Sequence, residues 1–174
     1  MNVLGICGSA SSQSSNLKLL QLIEKQLPNT WHYELFDDLQ SLPLFNANQA
    51  IGTLPQRILS VHEKIRNANL IIISTPEYIF SVPAGLKNLL EWSVSNSVFS
   101  AKTVAVLVAS AQGEKTLEEL KLILKTIEAS VSDKNCLLIQ GVRGKMSADG
   151  KITDAATQLK FDEWLLSVSK TVTS

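Results

Sequence analysis

The sequence predicts an α/β fold, a three-layer sandwich in which five parallel strands in the order 2-1-3-4-5 carry helices on both faces. Three observations point there. Short aliphatic runs alternate with longer segments whose apolar residues recur at spacings of three and four, the pattern of strands joined by crossover helices. One run, Leu70-Ile71-Ile72-Ile73, has no polar residue on either face, as a strand covered on both sides requires. A stretch dense in glycine, hydroxyl and amide residues follows the first run directly, where the chain turns from strand to helix.

Residues 3–7 form the first strand, ended by Gly8, and residues 16–27 place Leu20, Ile23 and Leu27 on one helical face. Residues 31–36 read as the second strand, and Leu54, Ile58, Val61 and Ile65 give the apolar face of a second helix. Residues 70–74 are the third strand, which must be central. Pro83 suits the first turn of a third helix, because its fixed φ is helical and its missing N–H is not needed there. Leu86, Leu89 and Leu90 continue that helix to Trp92 and Val94. Residues 102–109 make the fourth strand, followed by a helix with Leu117, Leu120, Ile123, Leu124 and Ile127 on its face. Residues 135–140 make the fifth strand, and Phe161, Trp164, Leu165 and Val168 mark the last helix.

Parallel strands need long right-handed crossovers, and five strands with a donor-rich loop after the first favour the flavodoxin-like order over a six-stranded dinucleotide fold. The one long irregular connection is 37–53, whose Leu42-Pro43-Leu44-Phe45 is expected to pack down on the body.

At 174 residues the chain is expected to form one domain spanning 1–174. Sixteen basic and sixteen acidic residues give zero net charge, and no basic stripe suggests a nucleic-acid partner. No apolar run approaches membrane-spanning length and the N-terminus lacks a leader pattern, so a soluble cytoplasmic protein without a membrane partner is expected. Cys7 and Cys136 lie in apolar runs and read as buried reduced thiols. His32 and His62 stand away from the candidate loops and read as packing or surface residues, and the carboxylate pair Asp37-Asp38, in the loop after the second strand, reads as ending that strand.

Ligands of open parallel sheets bind outside the carboxyl ends of the strands, at the switch point of strand order. Three loops leave strands there. The first offers Ser9, Ser11, Ser12, Gln13, Ser14, Ser15 and Asn16 with the free N–H groups of a helix start, a donor set for phosphate beyond what one helix cap needs. It holds no Lys or Arg, so a dianion there would rest on neutral donors and the helix dipole. The second, Thr75-Pro76-Glu77-Tyr78-Ile79-Phe80-Ser81-Val82-Pro83, sets aromatic residues and a carboxylate between two prolines that stiffen the backbone against a flat ring. Tyr78 and Phe80 equally suit packing or a contact between subunits. The third loop, Ser110-Ala111-Gln112-Gly113-Glu114, gains a role only from its nearness to the others.

Gly8-Ser9 with Ser14-Ser15-Asn16, then Leu42-Pro43-Leu44-Phe45-Asn46, then Thr75-Pro76-Glu77-Tyr78 through Ser81-Val82-Pro83-Ala84-Gly85-Leu86-Lys87-Asn88 and Glu91-Trp92, resemble the NADPH-dependent FMN reductase family. That group is flavodoxin-like and includes azo, quinone and chromate reductases. The resemblance implies FMN as cofactor and NAD(P)H as electron donor, with hydride passed to the flavin and onward to a flavin, quinone or similar small acceptor. It implies that Ser9, Ser14 and Asn16 hold the phosphate, with Ser11 and Ser15 beside them. By the same resemblance Pro76, Glu77 and Tyr78 line the ring with Ile79 and Ser81 adjoining, and Ser110 and Gly113 close the other side. A homodimer or homotetramer is implied as well, with the third helix near the subunit contact.

Three positions depart from the family pattern: Ser11 stands where the motif has arginine, Ile79 where it often has asparagine, and Gln112-Gly113-Glu114 where it has a glycine pair. The alternative reading is a flavodoxin-like protein with a weakened FMN site that serves as a binding or assembly partner.

Overall fold

The computed structural model describes residues 1–11 and 13–173. Strands β1 (Asn2–Cys7), β2 (His32–Phe36), β3 (Leu70–Thr75), β4 (Thr103–Ser110) and β5 (Cys136–Gln140) pair in parallel in the order β2-β1-β3-β4-β5. The helices are α1 (Ser15–Gln26), α2 (Ala47–Ala50), α3 (Gln56–Asn67), α4 (Ala84–Trp92), α5 (Glu114–Thr126) and α6 (Ala155–Thr173). The strand order is the flavodoxin-like one that the sequence predicts. Among the described residues no helix is long and apolar enough to cross a membrane.

β3 lies at the centre, its Ile72 opposite Gly5 of β1 and Ala105 of β4. The pleat sends Leu70 and Ile72 to the face covered by α1 and α6, where Leu20, Ile23, Phe161 and Trp164 meet them. Ile71 and Ile73 go to the opposite face, against Ile58 and Ile65 of α3, Leu86 and Leu89 of α4, and Leu120 and Leu124 of α5. Both faces are dry, which is why this strand tolerates no polar alternation. All six of its residues are buried.

The connection after β2 is more ordered than its sequence suggests. Residues Leu39–Ser41 make a 3-10 turn, and α2 forms because the Asn46 side chain accepts from the N–H groups of Asn48 and Gln49 at 3.0 and 3.2 Å. The Pro43 carbonyl accepts from Trp92 Nε1 at 2.8 Å and Asn88 Nδ2 at 3.0 Å, while Asn88 Oδ1 takes the Phe45 N–H at 2.8 Å. Leu39 and Leu42 are buried as expected, but Leu44 points to solvent and Phe45 stays partly exposed, edge-on to Trp92.

Other differences have local causes. The third predicted helix ends at Trp92, and Val94 is exposed on a run of turns that contains left-handed Ser97 and Ala101. Leu54 precedes α3, which begins only after Pro55, yet it still packs on the core. Cys7 is buried, whereas Cys136 on the edge strand β5 is only partly so. His62 is fully buried, neither ring nitrogen has a partner among the described residues, and burial lowers its pKa to about 4.

Candidate functional site

The carboxyl ends of β1, β3, β4 and β5 open into one cleft of about 720 Å³, within the size range of cofactor sites. Its walls come from Ser9, Ser11, Gln13, Ser14, Ser15 and Asn16 after β1, Pro76, Glu77 and Tyr78 after β3, Ala109, Ser110 and Ala111 at the end of β4, and Gly141, Val142, Arg143 and Gly144 after β5. Ser12, counted among the sequence donors, lies outside the described residues.

The first loop is built by short-range bonds that leave donors facing the cleft. Gly8 N–H reaches Ser74 O at 2.8 Å, and a Cβ on Gly8 would stand 2.4 Å from Thr75 Oγ1, so only glycine lets the chain cross the end of β3 this closely. Gln40 Nε2 donates to Ala10 O and anchors the loop from the side. Ser9 Oγ accepts from Ser11 N–H at 3.3 Å, Ser11 Oγ accepts from Gln13 N–H at 3.3 Å, and Ser14 Oγ caps α1 by accepting from Leu17 N–H at 3.1 Å. A hydroxyl that accepts in this way keeps its proton to donate. Three hydroxyls, of which Ser9 Oγ also contacts Tyr78 OH, line one end of the cleft beside the N-terminal N–H groups of α1.

Asn16 does something else. Its Nδ2 donates to Ala109 O at 3.0 Å and its Oδ1 accepts from Ser74 Oγ at 2.9 Å, so the buried amide clamps α1 to β3 and β4. One Nδ2 hydrogen and the backbone N–H remain for a ligand in the cleft that Asn16 lines. Cys7 Sγ sits behind the loop near Ser9 O, and burial pushes its thiol up from the ordinary value, keeping it protonated at neutral pH.

At the other end, Glu77 ties two loops together. Its carboxylate accepts from Gly113 N–H and from Thr116 N–H, each at 3.0 Å, with the charge set at the N-terminus of α5. Gly113 adopts φ +95, and a Cβ there would lie 2.7 Å from Leu138 Cδ1. Tyr78 OH stands 3.5 Å from Ser9 Oγ and spans the cleft between the first and second loops.

The structure thus gathers Ser9, Ser11, Ser14, Ser15, Asn16, Pro76, Glu77, Tyr78 and Ser110 of the sequence-predicted set. Ile79, Ser81 and Gly113 do not line the cleft. Ser81 Oγ donates to Glu119 Oε2 at 2.8 Å, and the same oxygen accepts from Val82 N–H at 2.9 Å, which fixes the loop entering α4. Ile79 and Phe80 form the tip of a tight turn closed by Tyr78 and Ser81, both with positive φ and both largely exposed. Glu114 also lies off the lining, its carboxylate accepting from Gln140 Nε2 at 3.3 Å. The sequence reading lacks the whole turn after β5, Gly141 to Gly144, and Arg143 is its one charged residue. The strand-end rule applied equally after β5, and a lone arginine among Gly141 and Gly144 was the signal.

Neutral donors at a helix start, joined by one cleft to a proline-stiffened aromatic loop at the switch point of a 2-1-3-4-5 sheet, define a flavodoxin-like protein that binds a nucleotide carrying a flat ring. The donor set fits FMN: hydroxyl and N–H donors for a phosphate at one end, room for a ring at the other. The profile of the NADPH-dependent FMN reductase family matches residues 1–143. The chain is 31% identical to the NADH:(hydroxy)cinnamate reductase subunit of Vibrio ruber, over 94% of this chain and 83% of that one. It is 26% identical to a quinone reductase of Escherichia coli, over 90% and 87% respectively. Among solved structures, the flavoenzyme NAD(P)H:(acceptor) oxidoreductase of Paracoccus denitrificans superimposes with a TM-score of 0.74 at 22% identity, covering 97% of both chains. The chain belongs to the NADPH-dependent FMN reductase family and is an FMN-dependent NAD(P)H oxidoreductase.

Proposed function

We propose that the cleft holds FMN with its phosphate against Ser9, Ser11, Ser14, Ser15 and the first turn of α1, and its ring against Pro76, Glu77 and Tyr78 with Ser110 opposite. The supporting observation is that one cleft joins the hydroxyls of Ser9, Ser11 and Ser14 to the wall formed by Pro76, Glu77 and Tyr78. FMN bound there supplies hydride acceptance from NAD(P)H and two-electron transfer to an acceptor. The chain's own residues position and enclose. Ser9, Ser11 and Ser14 donate to the phosphate, and Asn16 keeps the start of α1 registered on β3 and β4. Glu77 holds the second and third loops at fixed separation, so the ring wall does not need to reorganise on binding.

The acceptor is a flat quinone or a free flavin, recognised by stacking at the open side of the ring wall; the quinone reductase relative supports that class. We place the enzyme in the cytoplasm, with no nucleic-acid or membrane partner, as a homodimer or homotetramer. Exposed Leu44, Ile51, Ile79 and Phe80 on the connections after β2 and β3 support the oligomer. Anaerobic mixing of the FMN-loaded protein with NADPH or NADH, followed near about 450 nm, then with benzoquinone or free FMN, tests the reaction. Bleaching by a nicotinamide and rapid recovery with quinone is the expected result. Absence of bleaching with both nicotinamides contradicts the donor assignment, and bleaching without recovery by either acceptor contradicts the acceptor class.

A further inference from the structure

We infer that Arg143, on the turn after β5, is the cationic contact to the FMN phosphate in this chain. The inference rests on the cofactor placement proposed above and adds the charge that placement lacks. Among the described residues lining the cleft, Arg143 alone is basic, and Ser11 in the donor loop is neutral. The cleft's other charged side chain, Glu77, is matched by two backbone N–H groups. Arg143 has no hydrogen-bond or ion-pair partner among the described residues, so the cleft carries one uncompensated positive charge.

The backbone beneath that charge is fixed. Gly141 adopts φ +63 and donates its N–H to Ala111 O at 3.2 Å, tying the turn to the end of β4. Val142 is buried in the core beneath α6, and Gly144 N–H closes back on Gly141 O at 3.0 Å. The chain beyond runs along α1: Lys18 Nζ donates to Ala148 O at 2.9 Å, and Gly150 packs against the Lys18 side chain. Lys18, a cation of α1, is thereby occupied. The segment that carries Arg143 is thus held against the helix whose N-terminus supplies the phosphate donors, and Arg143 lines the same cleft as Ser14 and Ser15. A planar guanidinium suits two phosphate oxygens at once, a geometry the single-point serine donors do not supply.

The test compares FMN with riboflavin, which keeps the ring and lacks the phosphate, by fluorescence quenching of the purified chain. Arg143→Gln should weaken FMN binding by about ten- to a hundredfold and leave riboflavin binding unchanged. The salt dependence of FMN affinity should flatten in the same variant. Arg143→Lys should lie between, and adding Ser11→Arg to Arg143→Gln should restore FMN affinity by bringing a cation from the opposite wall. Equal loss of both flavins, with or without a change in thermal unfolding, would assign Arg143 a structural role and overturn the inference. Unchanged FMN affinity overturns it too, and a raised KM for the nicotinamide would then assign the arginine to the electron donor. A wild-type chain that binds neither flavin contradicts the cofactor placement itself, and that result needs no variant to see.

Discussion

Replacing Glu77 by glutamine tests whether one carboxylate sets the width of the cleft. In the wild type both oxygens accept backbone N–H groups at 3.0 Å, from Gly113 and Thr116, across the start of α5. Glutamine keeps one acceptor and turns an NH₂ group toward the other N–H. One charge-assisted bond is lost, worth about 1.5–3 kcal/mol, and the charge at the helix N-terminus adds about 0.3–1 kcal/mol. The sum is about 2–4 kcal/mol, or roughly 5–10 °C in Tm for a chain of this length. Urea unfolding followed by circular dichroism measures it. Glu114→Gln is the control, because that carboxylate stands in the same helical turn but accepts only from Gln140 at 3.3 Å; its cost should stay within about 0.5 kcal/mol. FMN affinity should fall for Glu77→Gln, since the second and third loops lose their tie. Equal stability of Glu77→Gln and wild type would show that the carboxylate does not brace the two loops. An equal loss in Glu114→Gln would contradict the bracing as well, because a general dipole effect would then account for the result.

His62 makes stability depend on pH in a calculable direction. Its folded pKa is lowered from 6.5 to about 4, so the neutral ring is the folded form, and the stability it allows is full above 6.5 and lost as pH falls toward 4. The wild type should lose about 2 kcal/mol between pH 7 and pH 5 through this group, while His62→Leu loses none of it; parallel pH profiles for the two proteins would show the account to be wrong. Ile79, at φ 52 and 96% exposed, sits in a left-handed conformation that costs a β-branched residue about 1–2 kcal/mol. Ile79→Asn should therefore raise stability by about 1 kcal/mol, seen as a Tm increase of about 2–4 °C. A decrease would mean that the side chain is buried against another molecule.

The alternation of runs makes the sheet legible, because the inner strands β1, β3 and β4 are dry on both faces and most helices show one apolar stripe. The three loops at the carboxyl strand ends were legible for the same reason: once strand order is known, position alone selects them. What the sequence hid were long-range pairings. Nothing local tells that Glu77 caps a helix start 36 to 39 residues further on, at Gly113 and Thr116, or that the Asn16 side chain clamps two strands. Ser81 looked like a cleft residue because it follows Tyr78, but the two-residue turn at Ile79 and Phe80 carries it to Glu119. His62 was within reach of the pattern, since it follows Ile58 by four and precedes Ile65 by three on the buried face of α3. Arg143 does not stand out in the sequence because its loop has few donors, and only the shared cleft shows its value.

That these strand-end loops hold FMN is tested by equilibrium titration of the purified wild-type chain with FMN. Saturation at one FMN per chain, with quenched flavin fluorescence and tighter binding than riboflavin, is the predicted result. A chain that stays colourless, and leaves FMN fluorescence unchanged at every concentration, contradicts the claim.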